Sequence, residues 1–102
     1  MDLLLKDKII IVTGGAKGIG EGIVNVLAAE GAIPVIVGRS EEDNKKTVLS
    51  IENAGGKASQ VVAELTKPDE SAKAVNEILK KYGKIHGLVN NAGVNDGVGL
   101  EY

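Results

Sequence analysis

The sequence predicts an α/β protein built on a doubly wound parallel sheet, and three observations carry that prediction. Short branched-apolar runs such as IIIV (9–12) and IPVIV (33–37) read as strands buried on both faces. Between them, apolar residues recur at helical spacing, and glycines punctuate nearly every change of period. The loops are short, so strands and helices alternate as β-α-β-α-β-α-β, the pattern of a sheet covered by helices on both faces.

Lys8–Thr13 is the first strand, ending against glycine. A helix over Gly18–Glu30 follows, with Ile19, Ile23, Val26 and Leu27 at i, i+4, i+7 and i+8 expected to face inward, and Gly31 expected as its C′ residue. Ile33–Gly38 is the second strand, with Pro34 held to its start. Ser40 followed by Asp43 resembles a capping box and opens a helix to about Ala54, closed by Gly55–Gly56. Lys57–Glu64 reads as a third strand. Thr66 and Pro68 open a helix expected to turn Ala72, Val75, Ile78, Leu79 and Tyr82 inward, and Gly83 ends it. Ile85–Asn91 is the fourth strand. Right-handed crossovers and the dinucleotide-fold order place the strands 3-2-1-4, a Rossmann-type sheet that is incomplete within this chain.

Composition narrows the function classes. The 102 residues amount to one domain at most. With no Phe or Trp, and Tyr82 and Tyr102 as the two aromatics, the core has to be filled by Val, Ile, Leu and Ala. A net charge of −2 gives no electrostatic reason to expect nucleic acid or an anionic membrane surface. The absence of cysteine excludes disulfides, thiolate metal sites and a cysteine nucleophile, and one histidine, His86, argues against zinc. No metal site is expected. No apolar run is long enough to span a bilayer, and the expected location is cytoplasmic.

The chemistry-bearing stretch is TGGAKGIG, Thr13 to Gly20, between the first strand and the first helix. In such a sheet ligands bind beyond the carboxyl ends of the strands where the order reverses, here between the first and fourth. A helix N-terminus there offers free N–H groups and partial positive charge to a pyrophosphate, and glycine lets the backbone approach it. A P-loop is excluded by spelling, because Glu21–Gly22 stands where Lys-Ser/Thr would have to follow Gly20. The G-x-G-x-x-G fingerprint is also absent; the pattern here is T-G-x-x-x-G-x-G. Taken alone, such a loop is weaker evidence, because a tight strand-to-helix junction also uses glycines.

The fourth strand adds LVNNAG, Leu88–Gly93. Together, TGGAKGIG, VGRSEE and NNAG resemble the short-chain dehydrogenase/reductase family over nearly the whole chain. The resemblance implies that Gly14, Ala16, Lys17 and Ile19 line the pyrophosphate and adenosine ribose. Asn90, Asn91, Ala92 and Gly93 would border the nicotinamide and brace the central strand; simple turn chemistry at a strand end is the lesser alternative for the asparagines. Thr13, Gly18, Gly20, Glu64 and Leu65 complete the expected cofactor set. Glu64 stands where many members have an aspartate that meets the adenine, and it could equally be a solvated loop residue. His86 replaces the acid of the usual IDxLVNNAG strand start, and a lone histidine there is expected to be satisfied or exposed rather than catalytic.

The family transfers a hydride between a nicotinamide and an alcohol or carbonyl carbon, using a serine, a tyrosine and a lysine four residues after the tyrosine. No Y-x-x-x-K occurs here: Tyr82 is followed at +4 by His86. Residues 1–102 are therefore expected to be the N-terminal dinucleotide-binding part of a dehydrogenase, holding no catalytic residue. The stretch NNAGVNDGVGLEY is similar to sugar-oxidising members of the L-fucose dehydrogenase type, with Asn95 and Asp96 at the site mouth or in a plain polar turn. A small-molecule alcohol or sugar substrate and a homo-oligomer at full length are expected. A 3-oxoacyl-type reductase and a non-catalytic NADP(H)-binding sensor are the alternatives.

The second strand ends in Gly38–Arg39–Ser40 without an acid at its tip, and Arg39 and Lys17 suit a 2′-phosphate, so NADP is expected over NAD. Lys17 in solvent, Arg39 stacked on the adenine, or Glu41 or Glu42 swung toward the ribose would each undo that preference.

Overall fold

The computed structural model describes residues 4–91. Ala92 and Gly93 of the expected cofactor set, with Asn95, Asp96 and Tyr102, lie outside the described residues. The elements run β1 (Ile9–Thr13), α1 (Gly18–Ala29), β2 (Ile33–Gly38), α2 (Glu41–Asn53), β3 (Ser59–Val62), α3 (Pro68–Tyr82) and β4 (Gly87–Asn90). The sheet is parallel, in the expected order β3-β2-β1-β4. β3 is shorter than the predicted 57–64, although the Ala63 N–H still donates to the Gly38 carbonyl at 3.0 Å.

Side-chain alternation along β1 divides the core into two layers. Ile9 and Ile11 join Val35, Val37, Val61, Ala74 and Ile78 under α3. Ile10 and Val12 join Val24, Ile36 and Ile51 under α1 and α2. Branched aliphatics fill both layers, as the lack of aromatics requires.

Two helix faces differ in part from the expected ones. On α1 Gly20 and Val24 are the buried residues, and Ile23 and Leu27 pack partly buried against the core as expected, but Ile19 and Val26 are exposed, at 62% and 63%. The reason is close approach. A Cβ at Gly20 would lie 2.1 Å from the Gly14 carbonyl oxygen, so only the face carrying that glycine can seat against the β1–α1 turn. On α3 the buried residues are Ala74 and Ile78, while Ala72, Val75 and Leu79 are exposed. The small Ala74 lets the helix lie close to the sheet, and Tyr82 packs partly buried at its end, where its hydroxyl pairs with Ser59 Oγ at 2.7 Å.

The caps follow the sequence. Ser40 Oγ accepts the Asp43 N–H at 3.2 Å, and Glu41, Glu42 and Asp43 occupy the first turn of α2. Gly31 adopts φ +92° just beyond α1, and Gly83 φ +81° at the end of α3. His86 is exposed at the N-terminal end of β4. Its backbone N–H donates to the Ile9 carbonyl at 2.8 Å, and its Nδ1 accepts the Ile9 N–H at 2.9 Å. An imidazole nitrogen thus stands in for a ladder carbonyl, at the end of the sheet away from the glycine turn.

Candidate dinucleotide-binding site

The strand register sets the site. Thr13 lies level with Val37 of β2 and Asn90 of β4, so the three C-terminal tips end side by side and release their loops into one crevice. An open cleft of about 780 Å³ lies there, within the usual size of a small-molecule site. Of the expected residues, Thr13, Gly14, Ala16, Lys17, Arg39, Glu64, Leu65 and Asn90 line it together. Gly18, Ile19, Gly20 and Asn91 do not. Gly18, Ile19 and Gly20 form the first turn of α1, whose N-cap, Lys17, contributes no side-chain cap. By contrast α2 is capped by its own serine. The first turn of α1 therefore keeps N–H groups available for an anionic ligand.

Gly14 turns the chain out of β1 at φ +68°, a conformation that a branched residue would resist. Its N–H donates to the Val37 carbonyl at 3.0 Å. Asn91, 4% exposed, braces the same turn. Its Nδ2 donates to the Gly14 carbonyl at 3.3 Å and its backbone N–H to Thr13 Oγ1 at 2.9 Å. The Thr13 hydroxyl donates in turn toward Asn90 Oδ1, 3.0 Å away, with the Val89 carbonyl at 3.4 Å. The two asparagines thus divide their work: Asn91 ties the tip of β4 to the glycine turn, while Asn90 stays exposed on the cleft wall. Thr13→Val should cost about 1–3 kcal/mol of stability, because the buried Asn91 N–H would lose its acceptor. Equilibrium unfolding checks this, with Thr13→Ser expected to keep most of the stability.

Each cation at the mouth has a carboxylate partner. Lys17 Nζ lies 3.2 Å from Asp43 Oδ2, and Arg39 Nη1 lies 3.8 Å from Glu64 Oε2. Glu64 Oε1 also accepts from Thr66 Oγ1 at 3.2 Å, and Glu64 is among the residues lining the cleft. The sequence pointed to Asp43 only through the cap at Ser40 and not as a site residue; that cap places it in the first turn of α2, on the lining of the cleft. Glu41 turns away to Lys45, 3.3 Å along the helix. The hydrogen bond from Lys17 holds the Asp43 carboxyl below the ordinary aspartate range, against opposing desolvation. Being lowered in the folded state, this pKa contributes stability that is present at neutral pH and lost as pH falls through it. Among the described residues no group of three or more His, Cys, Asp or Glu could hold a metal ion, and no helix is long and apolar enough to cross a membrane.

A parallel sheet of this order, whose central strand runs through a glycine turn into an uncapped helix, is a Rossmann-type fold. Residues 8–101 match the short chain dehydrogenase family, and the chain belongs to it. It is 41% identical over 88 residues to a 3beta-hydroxysteroid dehydrogenase of Mediterraneibacter gnavus, covering 86% of this chain and 32% of that one. Identity to the 3-oxoacyl-(acyl-carrier-protein) reductase FabG of Chlamydia muridarum is 39% over 95 residues, 92% of this chain and 38% of that one. Among solved structures, L-sorbose reductase from Gluconobacter frateurii, complexed with NADPH and L-sorbose, superimposes with a TM-score of 0.85 at 29% identity, covering 90% of this chain and 35% of that one. The chain thus spans about a third of the length of the relatives it matches.

Proposed function

We propose that this chain is the cofactor-binding part of a nicotinamide-dependent oxidoreductase that interconverts an alcohol and a carbonyl, with NADP(H) as the cofactor. The observation that carries the reading is the cleft itself, where the glycine turn, Lys17 at the N-cap of α1, Arg39 and Asn90 converge. The first-turn N–H groups of α1 would hold the pyrophosphate, Lys17 and Arg39 the 2′-phosphate, and Glu64 and Leu65 the adenine edge. Thr13, Asn90 and Asn91 would keep the nicotinamide end of the crevice in register, and the bound nicotinamide would supply or accept the hydride. The proton-transferring residues would come from outside these 102 residues, consistent with the missing Y-x-x-x-K.

For substrate, a sugar or other polyol is the primary reading, supported by the likeness to L-sorbose reductase. The identity to FabG supports 3-oxoacyl thioesters as a second reading. Assays of the full-length gene product on sugars and on 3-oxoacyl thioesters, followed by reduced-cofactor absorbance, discriminate them. We place the enzyme in the cytoplasm as a homo-oligomer.

Cofactor choice has a direct test. Arg39→Asp removes a planar guanidinium and puts a charge of the wrong sign beside a 2′-phosphate, so the NADP(H) to NAD(H) affinity ratio should fall about tenfold or more, 1.4 kcal/mol per factor of ten. Fluorescence titration with both reduced cofactors measures it. Tighter NADH than NADPH binding in wild type, or an unchanged ratio in the variant, would reject the assignment.

A further inference from the structure

The two bases expected to receive a 2′-phosphate are matched by two acids, Asp43 and Glu64, on the same cleft wall, so these four side chains carry no net charge. The Lys17–Asp43 pair is the shorter and the more consequential. It joins the start of α1 to the start of α2 across the mouth, beside the bond from Thr47 Oγ1 to the Ala16 carbonyl at 3.4 Å. Its lysine is 75% exposed, so the pair contributes little to holding the fold together. The position of Asp43, however, is well determined. Its backbone N–H is fixed on Ser40 Oγ, and a carboxylate in that first turn is favoured by the helix dipole.

Geometry then limits what Lys17 can do for a ligand. While Lys17 stays paired with Asp43, an oxygen bonded to its ammonium at about 3 Å lies within roughly 6 Å of Asp43 Oδ2, given the 3.2 Å pair distance. That is shorter than the Debye length of about 8 Å at physiological salt. A 2′-phosphate placed there meets the Asp43 carboxylate as a like charge, and it must also share or displace the partner Lys17 already has. A 2′-hydroxyl, being neutral, meets neither cost.

We propose that Asp43 is a specificity-determining residue that opposes the 2′-phosphate and holds the NADP(H) preference of this site down, leaving NAD(H) usable. The inference rests on the reading of Lys17 and Arg39 as the 2′-phosphate contacts. Asp43 acts in two ways: it repels the phosphate directly, and it neutralises the nearer of the two bases.

The test is Asp43→Asn in the full-length gene product, which removes the charge and keeps both the side-chain shape and the Ser40 cap. NADPH and NADH dissociation constants are measured by fluorescence titration at low and at physiological ionic strength. NADPH binding should tighten by about three- to tenfold, more at low salt, with NADH changed by no more than about twofold. Asp43→Ser, a second neutral residue suited to a first helical turn, should shift the ratio in the same direction, and a thermal melt of each variant confirms folding. The proposal is overturned if both variants leave the NADPH to NADH ratio at its wild-type value. It is also overturned if Glu42→Gln, one residue away and outside the cleft lining, shifts the ratio equally, since the effect would then be diffuse charge. Failure of the underlying reading shows elsewhere, as a wild type that prefers NADH or an Arg39→Asp variant without effect. The change in NADPH affinity on neutralising Asp43 is read independently of either.

Discussion

Gly20→Ala is expected to destabilise the protein by about 3 kcal/mol or more, toward the upper end of overpacking effects. The added methyl would sit 2.1 Å from the Gly14 carbonyl oxygen and 2.6 Å from Asn91 Nδ2. Neither can retreat cheaply. Gly14 is held by its own N–H on Val37, and its carbonyl receives Asn91. Helix propensity argues the other way, since alanine is better than glycine inside a helix by about 1 kcal/mol. Contact at well under van der Waals distance outweighs that gain. Gly22, two residues along the same helix, supplies the comparison: a Cβ there meets nothing within 4 Å, so Gly22→Ala should be neutral or stabilising by up to about 1 kcal/mol. Urea unfolding of both variants measures the difference. Equal effects would mean that the approach of α1 to the β1–α1 turn is not what seats the helix.

Ile36→Ala should cost about 2–5 kcal/mol, the usual range for emptying a buried isoleucine site. Ile36 is fully buried in β2 and packs in the layer beneath α1 and α2. Its neighbours Val12 and Val24 are held on strand and helix backbone and can close the void only partly. Against a typical domain stability of about 5–15 kcal/mol, such a loss is a large fraction of the whole. The denaturant midpoint reads it directly. Ile19→Ala removes the same side chain from an exposed helical position and should change stability by no more than about 0.5 kcal/mol. A large Ile19 effect would restore the helix face that apolar spacing alone predicts.

What the sequence determined by itself was whatever depends on near neighbours in the chain. Branched runs, glycines with φ above zero at Gly31 and Gly83, and the Ser40–Asp43 cap are local preferences. Together they set the order of elements, and with it the strand order that brings Gly14, Arg39 and Asn90 to one end of the sheet. Tertiary structure alone decided which residues of α1 and α3 lie deepest. Apolar residues surround α1 on more than one side, and the choice fell to Gly20 and Val24 because backbone contact at Gly14 needs a residue without a side chain. Hydropathy spacing does not register a close approach of two backbones. The same holds for α3, where Ala74, not Val75, lies against the sheet. The pairing of Lys17 with Asp43 was also a tertiary decision. The partners sit at the starts of different helices, and only the side-by-side ends of β1 and β2 bring the two charges within range of each other.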